Sequence, residues 1–575
     1  MAIAYRVDVA DPHAHLYRVT LRVPAPAPVQ RLSLPVWIPG SYMVREFGRH
    51  LSRLQARQVG RPREVEQLDK TTWQVACERG APLVVTYEVY AFDTSVRTAF
   101  LGAQRGFFNG TSLFLRVEGQ EADAHRVQVG ALPRGWDVAT AAAAPGERGW
   151  QAANYDELVD HPVELGLFWR GEFSACGVPH EFIVAGALPN FDGDRLLADA
   201  KRICETQIRF WHGRRKPPYE RYVFLLNAVE DGFGGLEHRA STALIAARRE
   251  LPRTGMNGTP DGYVTLMGLI SHEYFHTWNV KRLRPAEFTA YDYTRENYTG
   301  LLWFFEGFTS YYDDLLLVRA GLIDEARYLK LLGKSLTGVA GTPGRELQSV
   351  AQASFDAWVK YYRTDENTPN ATVSYYVKGS LVALALDLTL RAEGRGSLDE
   401  VMRQLWADSG GGPIDAAAIE RVFEAVAGRS LHGELQAWVH GTGELPVAPL
   451  LATAGIAVRE EPASWQAALG MRLSEGPVTG VQVRSVLRGS AAEAAGVSAG
   501  DELLAVDGWR IRRLDDALAW VAPGAAFELL LVRDQRVLAR RVEPPARPAA
   551  PTFSLAEDAN APKAALALRR GWLLG

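Results

Sequence analysis

The chain has 575 residues, 47% hydrophobic and 23% charged, close to average globular usage, which excludes a largely disordered or fibrous protein and predicts three or four domains. Its formal net charge of -4 supplies no basic field for phosphate backbones or anionic lipid, so neither nucleic acid nor a membrane is an expected partner. The three cysteines, Cys77, Cys176 and Cys204, lack CxxC spacing, and the opening MAIAYRVDVADPHAHLYRV lacks a basic segment followed by an apolar one. A cytoplasmic location is the expectation.

Residues 1–170 read as an N-terminal all-β domain. Tyr17, Val19, Leu21 and Val23 alternate with polar neighbours, and PLVVTYEVYAF repeats the period of two. Within LPVWIPGSYMVREF, Pro35, Pro39 and Gly40 confine any strand to an edge or a bend. After about residue 195 the period becomes helical in DGDRLLADAKRICETQIRFW, GYVTLMGLISHEYFHTW and NYTGLLWFFEGFTSYYDDLLLVRAG. Between the first two lies RYVFLLNAVEDGFGGLEHRASTALIAA, whose apolar runs flank a glycine turn. That predicts a small sheet packed on helices, an α+β unit over 171–445. LPVAPLLATAG and EPPARPAAPT have linker composition and bracket a third unit of strands, 446–547, leaving a C-terminal tail, 548–575.

His272, Glu273 and His276 form HEYFH on a predicted helix. A spacing of four turns both imidazoles to one face, as two zinc ligands require, and Glu273, one position off that line, meets the metal's water as the base that takes its proton. Glu306, inside WFFEGFTSYY, is an acid among aromatics. An unpaired buried carboxylate is costly, and a catalytic zinc needs a third protein ligand beside a water. One Zn2+ per chain, held by His272, His276 and Glu306, is the expectation.

HEYFH followed by an E-G-F-x-S-Y helix resembles the gluzincin peptidases, including aminopeptidase N and the leukotriene hydrolases, which implies a thermolysin-like catalytic domain. The gap of 30 positions from His276 to Glu306 exceeds theirs. With HTWNVKRLRP and WIPGSYMVREF, it resembles the glycyl aminopeptidase family, whose members carry a C-terminal PDZ domain. The resemblance implies an aminopeptidase acting on peptides with a free N-terminus and preferring small first residues, Gly and Ala. GGLEH, from Gly234 and Gly235 to His238, resembles the G-x-M-E-N segment of aminopeptidase N, with His238 in place of Asn. By that resemblance Glu237 would hold the substrate's α-amine. Tyr376, in SYYVKGSLVALAL, matches the Y-x-K-G segment whose phenol donates to the tetrahedral oxyanion, with Tyr375 as the competing candidate. Asn279 and Arg284, close after the zinc helix, have no partner legible in the sequence.

LRGSAAEAAGVSAGDELLAVDG resembles the PDZ signature. Leu469, Gly470 and Met471 look like the loop that takes a peptide's terminal carboxylate, the next strand receiving the peptide by β-addition. A zinc endopeptidase on the same site, an epoxide hydrolase built on it, and an inert PDZ adaptor are the alternative readings.

Overall fold

The computed structural model describes residues 2–575. The chain forms two compact units, Met1–Asn297 with Gly411–Pro413, and Tyr298–Gly410 with Ile414–Gly575.

The first unit begins with a seven-stranded sheet in the order Gly149–Ala152, His125–Val129, Ile3–Asp11, Leu16–Val23, Leu83–Tyr90, Leu51–Gln58, Arg61–Arg63. The alternation seen in the sequence is the inward face: Tyr17, Val19, Leu21 and Val23 are buried, each such side chain contributing about 1.5–3 kcal/mol. Two four-stranded sheets accompany it. Within LPVWIPGSYMVREF no strand forms beyond an isolated Ile38–Ser41 bridge. The segment instead crosses to residues that follow the helix Asp261–Phe275, where Val36 N–H donates to Tyr293 O at 2.9 Å and Trp37 Nε1–H to Asp292 O at 2.8 Å.

Next comes a five-stranded sheet in the order Phe168–Ala175, Val178–Ala185, Tyr222–Val229, Ser241–Ala247, Phe233–Glu237. Its three inner strands run parallel and both outer strands antiparallel. The central strand Tyr222–Val229 reads as a nearly continuous apolar run because both faces are covered. Ile183, Val223, Leu225, Leu236 and Ala243 share one core with the N-terminal sheets, so Phe233–Glu237 is an edge strand fixed from behind.

Against this sheet lie the helices Gly193–His212 and Asp261–Phe275. The second is apolar nearly all round, burying Tyr263, Leu266, Met267, Ile270, Tyr274 and Phe275, as a helix inside a core must be. Three polar contacts hold its C-terminal end. Gln207 Nε2–H donates to Ser271 O at 2.8 Å, Tyr274 Oη pairs with His180 Nε2 at 2.9 Å, and Trp278 Nε1–H donates to His212 Nε2 at 2.7 Å. Burial holds both His180 and His212 down at about 4, so they are neutral acceptors near neutral pH.

The second unit is helical and then β. The third sequence helix is interrupted: Leu302–Phe305 and Gly307–Arg319 meet at Glu306, whose φ is -93°. Gly307–Arg319 packs on Val377–Ala392 at a contact between glycines, since a Cβ on Gly307 would stand 2.6 Å from Gly379 Cα and one on Gly379 2.9 Å from Gly307 Cα. The segment LPVAPLLATAG, of linker composition, folds in part as the helix Val447–Thr453 with Val447 and Leu451 buried.

A sheet in the order Met471–Gly476, Gly480–Val486, Glu502–Val506, Phe527–Arg533, Arg536–Val542 follows, with Trp509–Arg510 pairing off its centre. In the tail, Thr552–Glu557 pairs with Ile456–Glu461, and the helix Lys563–Leu574 inserts the buried Trp572 so that its Nε1–H donates to Tyr311 Oη at 2.8 Å.

Candidate active site

His272 and His276 leave the last turn of Asp261–Phe275 on one face, and their Nε2 atoms converge to 3.1 Å. Two lone-pair nitrogens approach so closely only when they share a cation or a proton. His276 is buried, and its Nδ1 lies 2.7 Å from Asn279 O. That carbonyl can only accept, so Nδ1 carries the proton and Nε2 presents its lone pair, the tautomer a metal needs. These residues therefore fit zinc. Asn279 contributes its backbone here, and Arg284 stacks over Tyr291 at 5.7 Å.

Glu273 is buried at 5% exposure and lies against the edge strand Phe233–Glu237. A Cβ on Gly235 would overlap its carboxylate, so glycine is required at that position for the strand and this carboxylate to approach. Glu237, Glu273 and His276 each place a donor atom within 4.8 Å of the others. Two carboxylates and an imidazole thus surround one small volume beside the strand.

Glu237 is 4% exposed, and its Oε1 is buried with no hydrogen-bond partner among the described residues. Such an atom is expensive to bury unless a ligand completes it. Gly40, with φ +92°, lies over it: a Cβ there would stand 2.5 Å from Glu237 Oε1 and 2.6 Å from Oε2. The loop from the N-terminal domain thereby closes one side of this carboxylate.

Behind Glu237 lies a buried ion pair, Asp160 with Lys281 Nζ at 2.7 Å. Burial alone would raise the Asp160 carboxyl, but the Lys281 ammonium and the Arg239 guanidinium outweigh it and hold it well below the usual carboxylate range. Lys281 is in turn raised, burial opposing and the Asp160 charge prevailing. His238 Nδ1 lies 3.4 Å from Asp160 Oδ1, and burial lowers its pKa.

In the second unit Glu306 is buried at the helix junction. Tyr376 opens Val377–Ala392, and its phenol is raised well above its ordinary value by burial first and then by the Glu306 charge. Tyr375 beside it is fully buried. In the β unit, Gly470, with φ +76°, ends the helix Trp465–Leu469 and leads into Met471–Gly476, an edge strand. The chain's own Ala549 and Ala550 N–H groups donate to Ala468 O and Ala467 O at 3.2 and 3.0 Å, beside Leu469 and Gly470.

Sequence reasoning singled out His272, Glu273, His276, Glu237, Gly234 and Gly235, and the first unit brings these to one edge strand and one helix end. It missed the contact of Gly40 with Glu237 and the Asp160–Lys281 pair. The adjacent proline and glycine of WIPG were the available signal for the first; a lone Asp and a lone Lys 121 positions apart gave none for the second.

A helix that ends in two converging imidazoles and a carboxylate, lying against the edge strand of a mixed sheet, is a donor set that fits a metal-dependent hydrolase. Residues 4–167 match the model of the peptidase M61 N-terminal domain, 265–382 that of the M61 glycyl aminopeptidase, and 482–533 that of a PDZ domain. The crystal structure of an aminopeptidase N family protein from Idiomarina loihiensis is 36% identical, covers 99% of this chain and 100% of its own, and superposes with a TM-score of 0.94. An M1 zinc metallopeptidase from Deinococcus radiodurans is 17% identical over 78% of this chain and 95% of its own, TM-score 0.47. Legionella pneumophila aminopeptidase A is 12% identical over 96% of this chain and 58% of its own, TM-score 0.47. No curated protein matches the chain. The chain belongs to the M61 glycyl aminopeptidase family and is a zinc-dependent aminopeptidase with a C-terminal PDZ domain. Among the described residues no helix is long and apolar enough to cross a membrane.

Proposed function

We propose that one zinc ion is held by His272, His276 and Glu306, and that the enzyme releases small N-terminal residues, Gly and Ala, from peptides with a free α-amine. The observation that carries this reading is the convergence of the two Nε2 atoms at 3.1 Å with the His276 tautomer set by Asn279 O. Bound zinc supplies a Lewis acid that polarises the scissile carbonyl and acidifies a water.

The chain's own groups do the rest. Glu273 takes the proton of the attacking water and passes it to the leaving amine. Glu237 holds the substrate ammonium through its buried, unpartnered Oε1, which fixes the scissile bond one residue from the N-terminus. Tyr376 donates its phenolic proton to the developing oxyanion, a contribution of about 3 kcal/mol. Burial raises its pKa and so keeps that proton in place near neutral pH; Tyr375, wholly buried, serves packing. The backbone of Gly40 against Glu237 supports the preference for a small first side chain.

The PDZ domain offers the edge strand Met471–Gly476 and the loop Leu469, Gly470, Met471 to a peptide C-terminus. A cytoplasmic location is supported by three free cysteines.

The test is Glu237→Gln on alanine arylamide with a free or an N-acetylated amine. The wild type turns over only the free amine, and the variant loses about a hundredfold in kcat/KM on it, as expected when one partner of a buried charge pair is removed. Equal cleavage of the acetylated compound by the wild type would instead indicate an endopeptidase.

A further inference from the structure

The second unit contains a cavity that the chemistry above does not use. It measures about 290 Å³ and lies between the helices Glu325–Ala340, Val377–Ala392 and Val447–Thr453 and the ribbon that Ile456–Glu461 forms with Thr552–Glu557. Its walls follow the periods of these elements. Leu336, Val339 and Ala340 stand three and four apart on one helix face, and Leu381 lies one turn on from Lys378. Val458 and Phe553 share one face of the ribbon, because Val458 pairs with Leu555 and Glu460 with Phe553. Leu336, Val339, Val458 and Phe553 are only half-buried, so the fold leaves this apolar wall partly uncovered.

One charge stands in the wall without a partner. Lys378 is 3% exposed, yet its ammonium makes no hydrogen bond or ion pair among the described residues. Arg345 and Glu444 line the same cavity. Arg345 is a like charge and brings no relief. Glu444 is engaged by that arginine, its Oε1 lying 3.1 Å from Arg345 Nε, and its side chain is 76% exposed. Burial lowers the Lys378 pKa, with the Glu444 charge opposing and the Arg345 charge adding to the fall. A buried ammonium left unpaired is among the costliest arrangements a fold can hold.

The chemistry of the lining gives the ligand. An ammonium can only donate, and this one carries the uncompensated charge, so it takes an anion. It also lies in the first turn of Val377–Ala392, whose positive end favours negative charge. The half-buried leucine, valines and phenylalanine take hydrocarbon. A volume at the lower end of the roughly 300–1,000 Å³ of ligand sites admits only a short body. An inorganic anion would leave the apolar wall bare, and a neutral hydrocarbon would leave the ammonium unpaired.

We propose that this cavity binds a small carboxylate with a hydrocarbon body, the carboxylate on Lys378 beside Arg345 and the body against Leu336, Val339, Val458 and Phe553. A free aliphatic acid and the C-terminal residue of an apolar peptide offer the same chemistry.

The experiment is calorimetric titration of the full-length wild type, Lys378→Met and Val339→Phe with octanoate, octanamide, acetyl-Leu-Leu and its amide. The wild type binds at least one of the acids saturably and about tenfold more tightly than the matching amide, the worth of a charge-assisted hydrogen bond; the tighter acid names the source. Lys378→Met binds acid and amide alike and melts no lower than wild type, since the unpaired charge is gone. Val339→Phe keeps both cations but fills the cavity from a half-buried position, so it binds neither acid. No saturable binding of either acid by the wild type would overturn the assignment. An acid preference that survives Lys378→Met, or binding undiminished in Val339→Phe, would place the carboxylate outside this cavity and overturn it equally.

Discussion

On the proposed reading, Glu273 takes part in proton transfer without ligating the metal. Glu273→Gln keeps the size and packing against Gly235 but cannot accept the proton, so turnover of alanine arylamide falls by about a thousandfold while zinc content by elemental analysis is unchanged. Gly40 tests the closeness of the N-terminal loop. Gly40→Ala adds a methyl 2.5 Å from Glu237 Oε1 at φ +92°, which displaces the carboxylate or the loop. We expect kcat/KM to drop by about a hundredfold, the scale of an ångström of misplacement, with a smaller change in melting temperature. Asp160 makes a pH prediction. Its folded-state pKa lies well below the unfolded value of about 3.9, so its stabilisation is present above that pH and is lost as pH falls through the folded value. Lys281 is raised above 10.5, so its share is present below that pH and is lost as pH rises through the folded value. Asp160→Asn leaves Lys281 buried and unpaired, destabilising by about 3 kcal/mol at pH 7, and the gap to wild type in thermal melts should close in acid. His272 and His276 were legible as a pair because helix periodicity puts them on one face, and Glu273 because it sits one position off that line. Gly40 and the Asp160–Lys281 pair were not, because their meanings depend on which loops meet across a fold.

At the scale of elements, the helix Asp261–Phe275 is placed by what surrounds it more than by its own propensity. Its apolar circumference demanded burial and was readable as such. That Gln207 would brace Ser271, or His212 the Trp278 ring, depends on a partner helix whose register no single stretch encodes. The interruption at Glu306 was equally invisible, since WFFEGFTSYY carries helical spacing throughout; the break coincides with the contact of Gly307 against Gly379. The C-terminal segment was read only as a tail, yet Lys563–Leu574 buries Trp572 completely and ties it to Tyr311, while Arg391 Nη1–H donates to Gly571 O at 2.8 Å and Arg319 Nη2–H to Trp572 O at 3.0 Å. Trp572→Ala should destabilise by about 4 kcal/mol, seen as a lowered midpoint in urea, because the cavity opens beside the buried Asp387 that Tyr311 also contacts at 2.6 Å. A midpoint unchanged within error would mean that the helix is an ornament of the fold.

Across the molecule, an N-terminal β domain, an α+β catalytic region and a PDZ domain were each announced by their own signal, alternation, helical period with HExxH, and the G-D-E-L-L-A-V-D-G run. The interleaving was not, because the N-terminal sheets and the catalytic sheet share one core and a shared core leaves no trace in local pattern. Sharing it has a structural result: the edge strand Phe233–Glu237 is held on one side by the five-stranded sheet and met by Gly40 and Arg97 of the β domain. The central claim is that His272 and His276 hold a zinc ion served by Glu273 in an aminopeptidase. Its most direct test is zinc content together with hydrolysis of free and N-acetylated Gly- and Ala-arylamides by wild type and Glu273→Gln. The account predicts one zinc per chain in both proteins, turnover of free amines only, and loss of turnover in the variant with metal retained; a protein that binds no zinc, or a Glu273→Gln variant that remains fully active, would contradict it.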